Sequence, residues 1–438
     1  MNRKEEFYWN RLDNTAKVYP AISSSRSSNV YRICVKLKEP VKPEVLEQAL
    51  QETLQQLPIY NVKLRKGLFW YYFETNFSKP VVREDHLFPC TPIDKWPNNG
   101  FLFRLTYFDK KINWEVFHAL SDGNGAIFFL NCLILNYLQL AHPQDAALNG
   151  ISLIDSTLPQ SAFEENSFLS AAREIGADVK AGTAIPALPR AYQVSGVPAP
   201  LREVRVIQLF LESRSLIALA KASGVTVTAY LAAVLFLSIY EESWRYSRRR
   251  HPISICVPVD LRSFFPSHTL RNFFSTINMT LDFSKKDYTF QELLEFCSNE
   301  LQRQITHEGV LQKVRSNVHA EESMALRLVP LFLKNLVLKG IGQKTENGNT
   351  TTLSNLGRIK LPEAMAPYLQ RYEVMLSPSK HQTVKLGVIS YDQTMCLSFV
   401  SGIEETDVPR YFCRFLTQQG IDIRISSNME VSPDEAMS

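Results

Sequence analysis

Between Tyr31 and Leu37 apolar and polar residues alternate, the period of a β-strand with one buried face. The period then lengthens. Val45, Leu46, Ala49, Leu50 and Leu54 recur at helical spacing behind Pro43, which suits a first helical turn, and Pro58 stops the run, so a helix is expected over 43–57. Leu68 to Phe73 is aromatic and β-prone. Phe101 to Phe108 and Asn113 to Phe117 read as a hairpin turning at Asp109-Lys110-Lys111, and a strongly apolar helix from Gly125 to about Leu140 follows. His118 therefore lies where a strand ends and a helix starts.

Proline, alanine, serine and glycine thicken between Leu158 and Pro200, with Pro186, Pro189, Pro198 and Pro200, as in a crossover between halves. Beyond it the alternation of periods resumes. Strands are expected at Val204–Leu211, Ile253–Val259, Thr276–Leu281, Thr351–Leu356, Val384–Ser390 and Met395–Ser401. Helices are expected at Ser213–Ser223 with Ser213 as cap, from a Thr226 or Thr228 cap through Tyr240, from Phe290 to about His307, and over Val408–Gly420. Lys344 to Thr350 reads as a polar loop. Strands and helices mix in both halves and several strands are hairpin-linked, which argues for α/β sandwiches of mixed sheet rather than a doubly wound parallel sheet.

Length turns this pattern into a domain count. At 438 residues the chain exceeds what one core ordinarily holds, so two domains are expected, 1–195 and 200–438, with 158–200 as the crossover. The 48 basic and 44 acidic residues are intermixed, which does not suit a nucleic-acid binder. One basic cluster, Arg245 to Arg250, reads most simply as a solvated loop, with a phosphate site as the alternative. The seven cysteines are widely spaced and mostly sit in apolar runs, as buried thiols do; neither a disulfide framework nor a zinc site is suggested, and a cytoplasmic location is expected. The amino terminus is too polar for a signal peptide. The greasiest stretch, Ala126 to Leu140, is short for a membrane span and is broken by Asn131 and Asn136, so a buried helix is expected and no transmembrane segment.

Chemistry concentrates at His118-Ala119-Leu120-Ser121-Asp122-Gly123. A histidine ionises near neutral pH and suits the removal of a proton from an attacking hydroxyl or amine. Asp122 either orients that histidine or pins the turn presenting it, and the spacing leaves both open. Gly123 and Gly125 permit close approach of backbone or substrate.

Phe117 to Gly123 resembles the HxxxDG motif of the superfamily of chloramphenicol acetyltransferases, peptide-synthetase condensation domains, alcohol acetyltransferases, polyketide-associated acyltransferases and plant HxxxD acyltransferases. Other stretches are similar in the same order. Val41 to Arg65 resembles the opening helix and strand. Val257-Pro258-Val259-Asp260-Leu261-Arg262, with Arg271-Asn272-Phe273-Phe274 downstream, resembles the segment supplying a structural arginine. Leu353-Ser354-Asn355-Leu356-Gly357-Arg358 resembles the late S-N-x-G turn.

The resemblance implies two chloramphenicol-acetyltransferase-like mixed α/β sandwich domains with a channel between them. It implies His118 as the general base and Asp122 turned away to pair with Arg262. Ser275, Asn278 and Asn355 become candidates for the channel or oxyanion, although Asn355 more readily fixes a turn. The implied reaction moves an acyl group from acyl-coenzyme A to a small alcohol or amine, with no covalent intermediate, no bound cofactor and no metal. Condensation domains usually carry a second histidine where this chain has Phe117, which leans towards free-standing, alcohol acetyltransferase-like enzymes. The D-F-G-W-G motif of the plant enzymes is also missing. Transfer from an acyl carrier protein, and a non-catalytic condensation-like binding module, are the alternatives.

Overall fold

The computed structural model describes residues 9–13, 15–94, 97–174, 189–322 and 329–429. In the first half the strands are β1 (Trp9–Arg11), β2 (Val30–Leu37), β3 (Val62–Lys66), β4 (Tyr71–Thr75), β5 (Val82–Glu84), β6 (Phe103–Phe108) and β7 (Lys111–Phe117). The second half carries β8 (Arg205–Glu212), β9 (Ile253–Asp260), β10 (Phe274–Leu281), β11 (Thr351–Ile359), β12 (Leu369–Leu376), β13 (Val384–Tyr391), β14 (Thr394–Ser401) and β15 (Ile423–Ser427). The alternation read from the sequence thus becomes strands at each expected place. Three sheets result, ordered β1-β4-β3, β12-β2-β7-β6-β5 and β10-β9-β11-β13-β14-β8-β15.

Helices close one face of each large sheet. Pro43–Gln56 and Gly123–Ala141 belong to the first core, where Trp114 of β7 stacks on Phe129 at 4.5 Å. Helix Gly123–Ala141 is long and apolar enough to cross a membrane by composition, yet 67% of its apolar window is buried inside the protein. Helices Val227–Glu242, Phe290–Gln304 and Asp407–Gln418 cover the second core. The first two have capped starts: Thr226 accepts from the Ala229 amide, and Thr289 and Glu292 form a reciprocal capping box. Ser213 is not a cap; the helix begins on it, and its hydroxyl has no hydrogen bond among the described residues. All seven cysteines are buried.

The pattern misses elements whose burial does not follow a simple period. Residues 344–347, expected in a loop, end a helix, Leu331–Asn347, which buries Leu331, Lys334 and Gly342 and exposes Phe332, Leu336 and Val337. Strand β12 carries Arg371 and Glu373 among its buried residues and shows no clean alternation. It pairs antiparallel with β2, along Leu369↔Leu37 to Leu376↔Tyr31. Residues of the 200–438 half thus complete the sheet of the 1–195 half, so the division describes the chain's halves and not its cores. Fully buried Glu373 fastens this crossover, accepting from Lys111 at 2.9 Å, Gln208 at 3.1 Å and Arg371 at 2.8 Å. Of the expected crossover, 158–200, Gln160–Glu164 and Ser167–Glu174 are short helices. Pro186 lies outside the described residues, as does the polar amino terminus.

Candidate active site

β7 delivers His118 and the turn behind it to the junction of the two halves. The His118 amide donates to the Asn29 carbonyl at 2.8 Å, continuing the β2–β7 ladder one residue past the strand. Behind it, the Tyr31 hydroxyl lies 3.0 and 2.9 Å from the carbonyls of Ser121 and Asp122. Ser121, itself fully buried, accepts from the Tyr60 hydroxyl at 2.9 Å and donates to the Leu270 carbonyl at 2.5 Å. Both halves therefore clamp the turn.

The imidazole is held on several sides. Tyr19 stacks on it at 4.5 Å between ring centroids, Tyr31 meets it edge-on at 5.1 Å, and Phe274 of β10 lies 5.5 Å away. Nδ1 is 3.0 Å from Asn272 Oδ1. The Asn272 amide can face only one way, because its Nδ2 donates at 3.0 Å to the His118 carbonyl, which has no proton to give, and at 3.3 Å to Asp13 Oδ2. An amide oxygen opposite Nδ1 requires the proton on Nδ1, which leaves the lone pair on Nε2. Among the described residues Nε2 has no hydrogen-bond partner.

Burial pushes the His118 pKa below its ordinary 6.5, only partly countered by its own backbone, by Asp122 and by the Asn272 hydrogen bond. The ring is therefore neutral at neutral pH. Burial also raises the Asp13 carboxyl to about 6, against the Ala16 amide, Arg271 and Asn272, which favour its charged form. Cys256 is pushed up to about 11, again by burial, and stays a thiol.

Asp122 makes no bond to His118. It caps helix Gly123–Ala141 by accepting from the Gly125 amide at 2.9 Å, accepts from the Phe273 amide at 2.8 Å, and pairs with Arg262 at 2.9 and 3.3 Å. Arg262 spends its remaining donors on Asp260 and on the carbonyls of Thr269 and Arg271. The glycines are sites of contact. A Cβ on Gly125 would sit 2.2 Å from the Leu270 carbonyl oxygen, and one on Gly123 would meet the Leu356 side chain at 2.7 Å. Leu356 belongs to the S-N-x-G stretch, so the late turn packs directly on the start of this helix.

The other sequence candidates separate. Asn355 donates to Thr228 at 3.1 Å and accepts from the Gly357 amide at 2.9 Å, fixing an irregularity within β11, where the register shifts between Asn355 and Arg358 and Gly357 is left-handed at φ +72°. On β10 successive side chains alternate faces. Asn278 shares the face of Phe274, which reaches the His118 ring, and its buried Oδ1 has no partner among the described residues. Ser275 shares the opposite face with Ile277 and Met279, which lie in the second core. Sequence reasoning did not single out Asn272, Asp13 or Tyr19. A lone asparagine before two phenylalanines was the only visible signal.

A cleft of about 400 Å³ lies where the halves meet, lined by Ser28, Cys90, Thr91, Ser377 and Thr383 among others. His118 does not line it, but Ser28 precedes the residue whose carbonyl binds the His118 amide. Gln193 and Ser195 are shared with a second pocket of about 330 Å³ lined by Arg190, Arg248, Arg249 and His251. The basic cluster is thus divided: Arg245 pairs with Glu241, Arg250 lies over Trp244 at 4.4 Å, and Arg248 and Arg249 line this pocket. Among the described residues no group of three or more His, Cys, Asp or Glu is placed to hold a metal.

This fold is the two-domain fold of chloramphenicol-acetyltransferase-like acyltransferases and condensation domains, and solved structures match it over nearly the whole chain. Polyketide synthase associated protein 5 from Mycobacterium tuberculosis is 15% identical, with 93% of this chain and 96% of that chain covered and a TM-score of 0.58. The trichothecene 15-O-acetyltransferase TRI3 from Fusarium sporotrichioides is 12% identical over 95% of each chain, with a TM-score of 0.60. TRI101 of F. graminearum, complexed with coenzyme A and deoxynivalenol, is 13% identical over 95% of this chain and 99% of that one, at 0.59. In sequence, residues 212–418 match the alcohol acetyltransferase family model. No curated protein sequence matches. The family match spans less than half of the chain, on a fold shared by proteins crystallised with coenzyme A.

Proposed function

We propose that the protein is an O-acyltransferase that moves an acyl group from acyl-coenzyme A to the hydroxyl of a small acceptor, with His118 as the general base. The supporting observation is the fixed tautomer: Asn272 commits the Nδ1 proton, and the unpartnered Nε2 lone pair is left to accept one. As the acceptor oxygen attacks the thioester carbonyl carbon, its proton passes to Nε2. The tetrahedral intermediate expels the coenzyme A thiolate, which takes the proton back from the imidazolium, giving ester and free thiol. The protein forms no covalent intermediate. Asp122 and Arg262 act by holding the turn.

The pocket of Arg190, Arg248, Arg249 and His251 has the chemistry to receive the donor's phosphates, and it adjoins the cleft that passes near the His118 strand. Free-thiol release from acyl-coenzyme A against a panel of alcohols and amines tests the reading. His118→Ala is expected to lower turnover by about a thousand-fold or more with the melting temperature unchanged; turnover near wild type refutes the base. Charge reversal at Arg248 and Arg249 is expected to raise KM for acyl-coenzyme A by about ten-fold while leaving kcat, and KM for acyl-pantetheine, unchanged. Equal loss on both donors removes the phosphate assignment.

A further inference from the structure

Helix Leu331–Asn347 inverts the usual relation of polarity and burial. Leu336 is 67% exposed, Phe332 61% and Val337 59%, with Leu333 and Ile341 also on the surface. Lys334, by contrast, is buried: its amino group lies 3.3 Å from the centre of the Trp70 ring and donates to the Phe69 carbonyl at 3.1 Å. The Leu331 amide donates to the Leu68 carbonyl at 2.8 Å, and Asn335 donates to the Tyr71 hydroxyl at 2.9 Å. These polar groups bind the tip between β3 and β4 to the helix. The exposed Leu68 and Phe69 thereby join the apolar side chains of the helix in one continuous face.

That face is rimmed by exposed Lys66, Lys339 and Lys344, none of which pairs with a carboxylate among the described residues. An apolar helix face with lysines at its edge is the pattern of a helix lying in a lipid headgroup region, the side chains entering the acyl boundary and the ammonium groups meeting anionic headgroups. A second copy of this chain fits less well, because a two-fold contact on this face would set the lysine rim against itself. The buried side of the same helix leads towards the candidate active site. Helix Leu331–Asn347 packs so tightly on Ile22 that a Cβ on Gly342 would lie 2.5 Å from it, and Tyr19 of the same short segment, Tyr19–Ile22, stacks on His118.

We propose that this face docks the protein peripherally on an anionic lipid surface, with Leu68, Phe69 and the exposed side chains of helix Leu331–Asn347 as the inserted group. The inference does not depend on the role of His118, and its readout is binding alone. The full chain is floated with vesicles of phosphatidylcholine, with and without phosphatidylglycerol. Wild type is expected to float with the mixed vesicles and to bind less at high salt. Leu336→Asp combined with Val337→Asp, both at exposed positions, is expected to stay in solution with an unchanged circular dichroism spectrum and melting temperature. Neutralising Lys66, Lys339 and Lys344 to glutamine is expected to weaken partitioning by about five-fold per lysine. The proposal is overturned if wild type binds neither vesicle, or if the aspartate variant floats equally well. It is also overturned if wild type is a dimer that the aspartate variant dissociates, which would make this face a contact between copies.

Discussion

A histidine works as a base only if the correct nitrogen is free and the ring is neutral, and here Asn272 and burial supply one condition each. The sign of the pH dependence follows. A depressed pKa keeps His118 unprotonated down through mildly acidic pH, so kcat/KM is expected to be flat around neutrality, with its acid limb below pH 6.5. An acid limb at or above that value would refute the assignment. Asn272→Ala removes an interaction that favours the protonated ring. It should move the acid limb further down while lowering the plateau by about ten- to hundred-fold, as the ring loses its orientation; a merely structural role would lower the plateau without moving the limb. His118 itself was legible in the chain, as a strand-end histidine followed by aspartate and glycine. Asp13 and Tyr19 were not. They lie about a hundred positions away in the sequence, and nothing local marks a carboxylate or a ring that reaches this site only when the chain folds back.

The element that matters most is the junction of β7 with helix Gly123–Ala141. Its two glycines have different neighbours, so they should tolerate a methyl group differently. On Gly125 the methyl would meet backbone, the Leu270 carbonyl, which cannot turn aside. On Gly123 it would meet the end of the Leu356 side chain, which can. Gly125→Ala is therefore expected to cost about 3 kcal/mol and Gly123→Ala about 1 kcal/mol or less in denaturant unfolding. Equal costs would mean that the Leu270 contact is not maintained in solution. Helices with caps and one apolar face were readable from sequence because their local signals agree with their burial. Helix Leu331–Asn347 and β12 were not. One exposes leucine and buries lysine, and the other places Arg371 and Glu373 in a buried strand because the two pair with each other and Lys111 of β7 pairs with Glu373.

Across the whole molecule, the Asp122–Arg262 pair ties the two halves beside His118. Asp122 is 4% exposed, and its carboxylate serves the helix start, the Phe273 amide and the guanidinium together. Asp122→Ala strands a mostly buried guanidinium and should cost about 3–5 kcal/mol, seen as a large fall in melting temperature along with lost turnover. A variant that melts normally yet is inactive would instead argue that Asp122 acts on His118 directly. By itself the sequence determined the periods of most strands and helices, the mixed α/β class, and the turn bearing His118, Asp122 and Gly123, because each is written in residues close together along the chain. Only the tertiary structure decided which nitrogen of His118 is free, how the glycine contacts differ, and that β12 crosses into the first sheet. Those depend on Asp13, Asn272, Leu270 and Glu373 meeting groups far away in sequence, where burial and hydrogen-bond geometry leave no periodic trace.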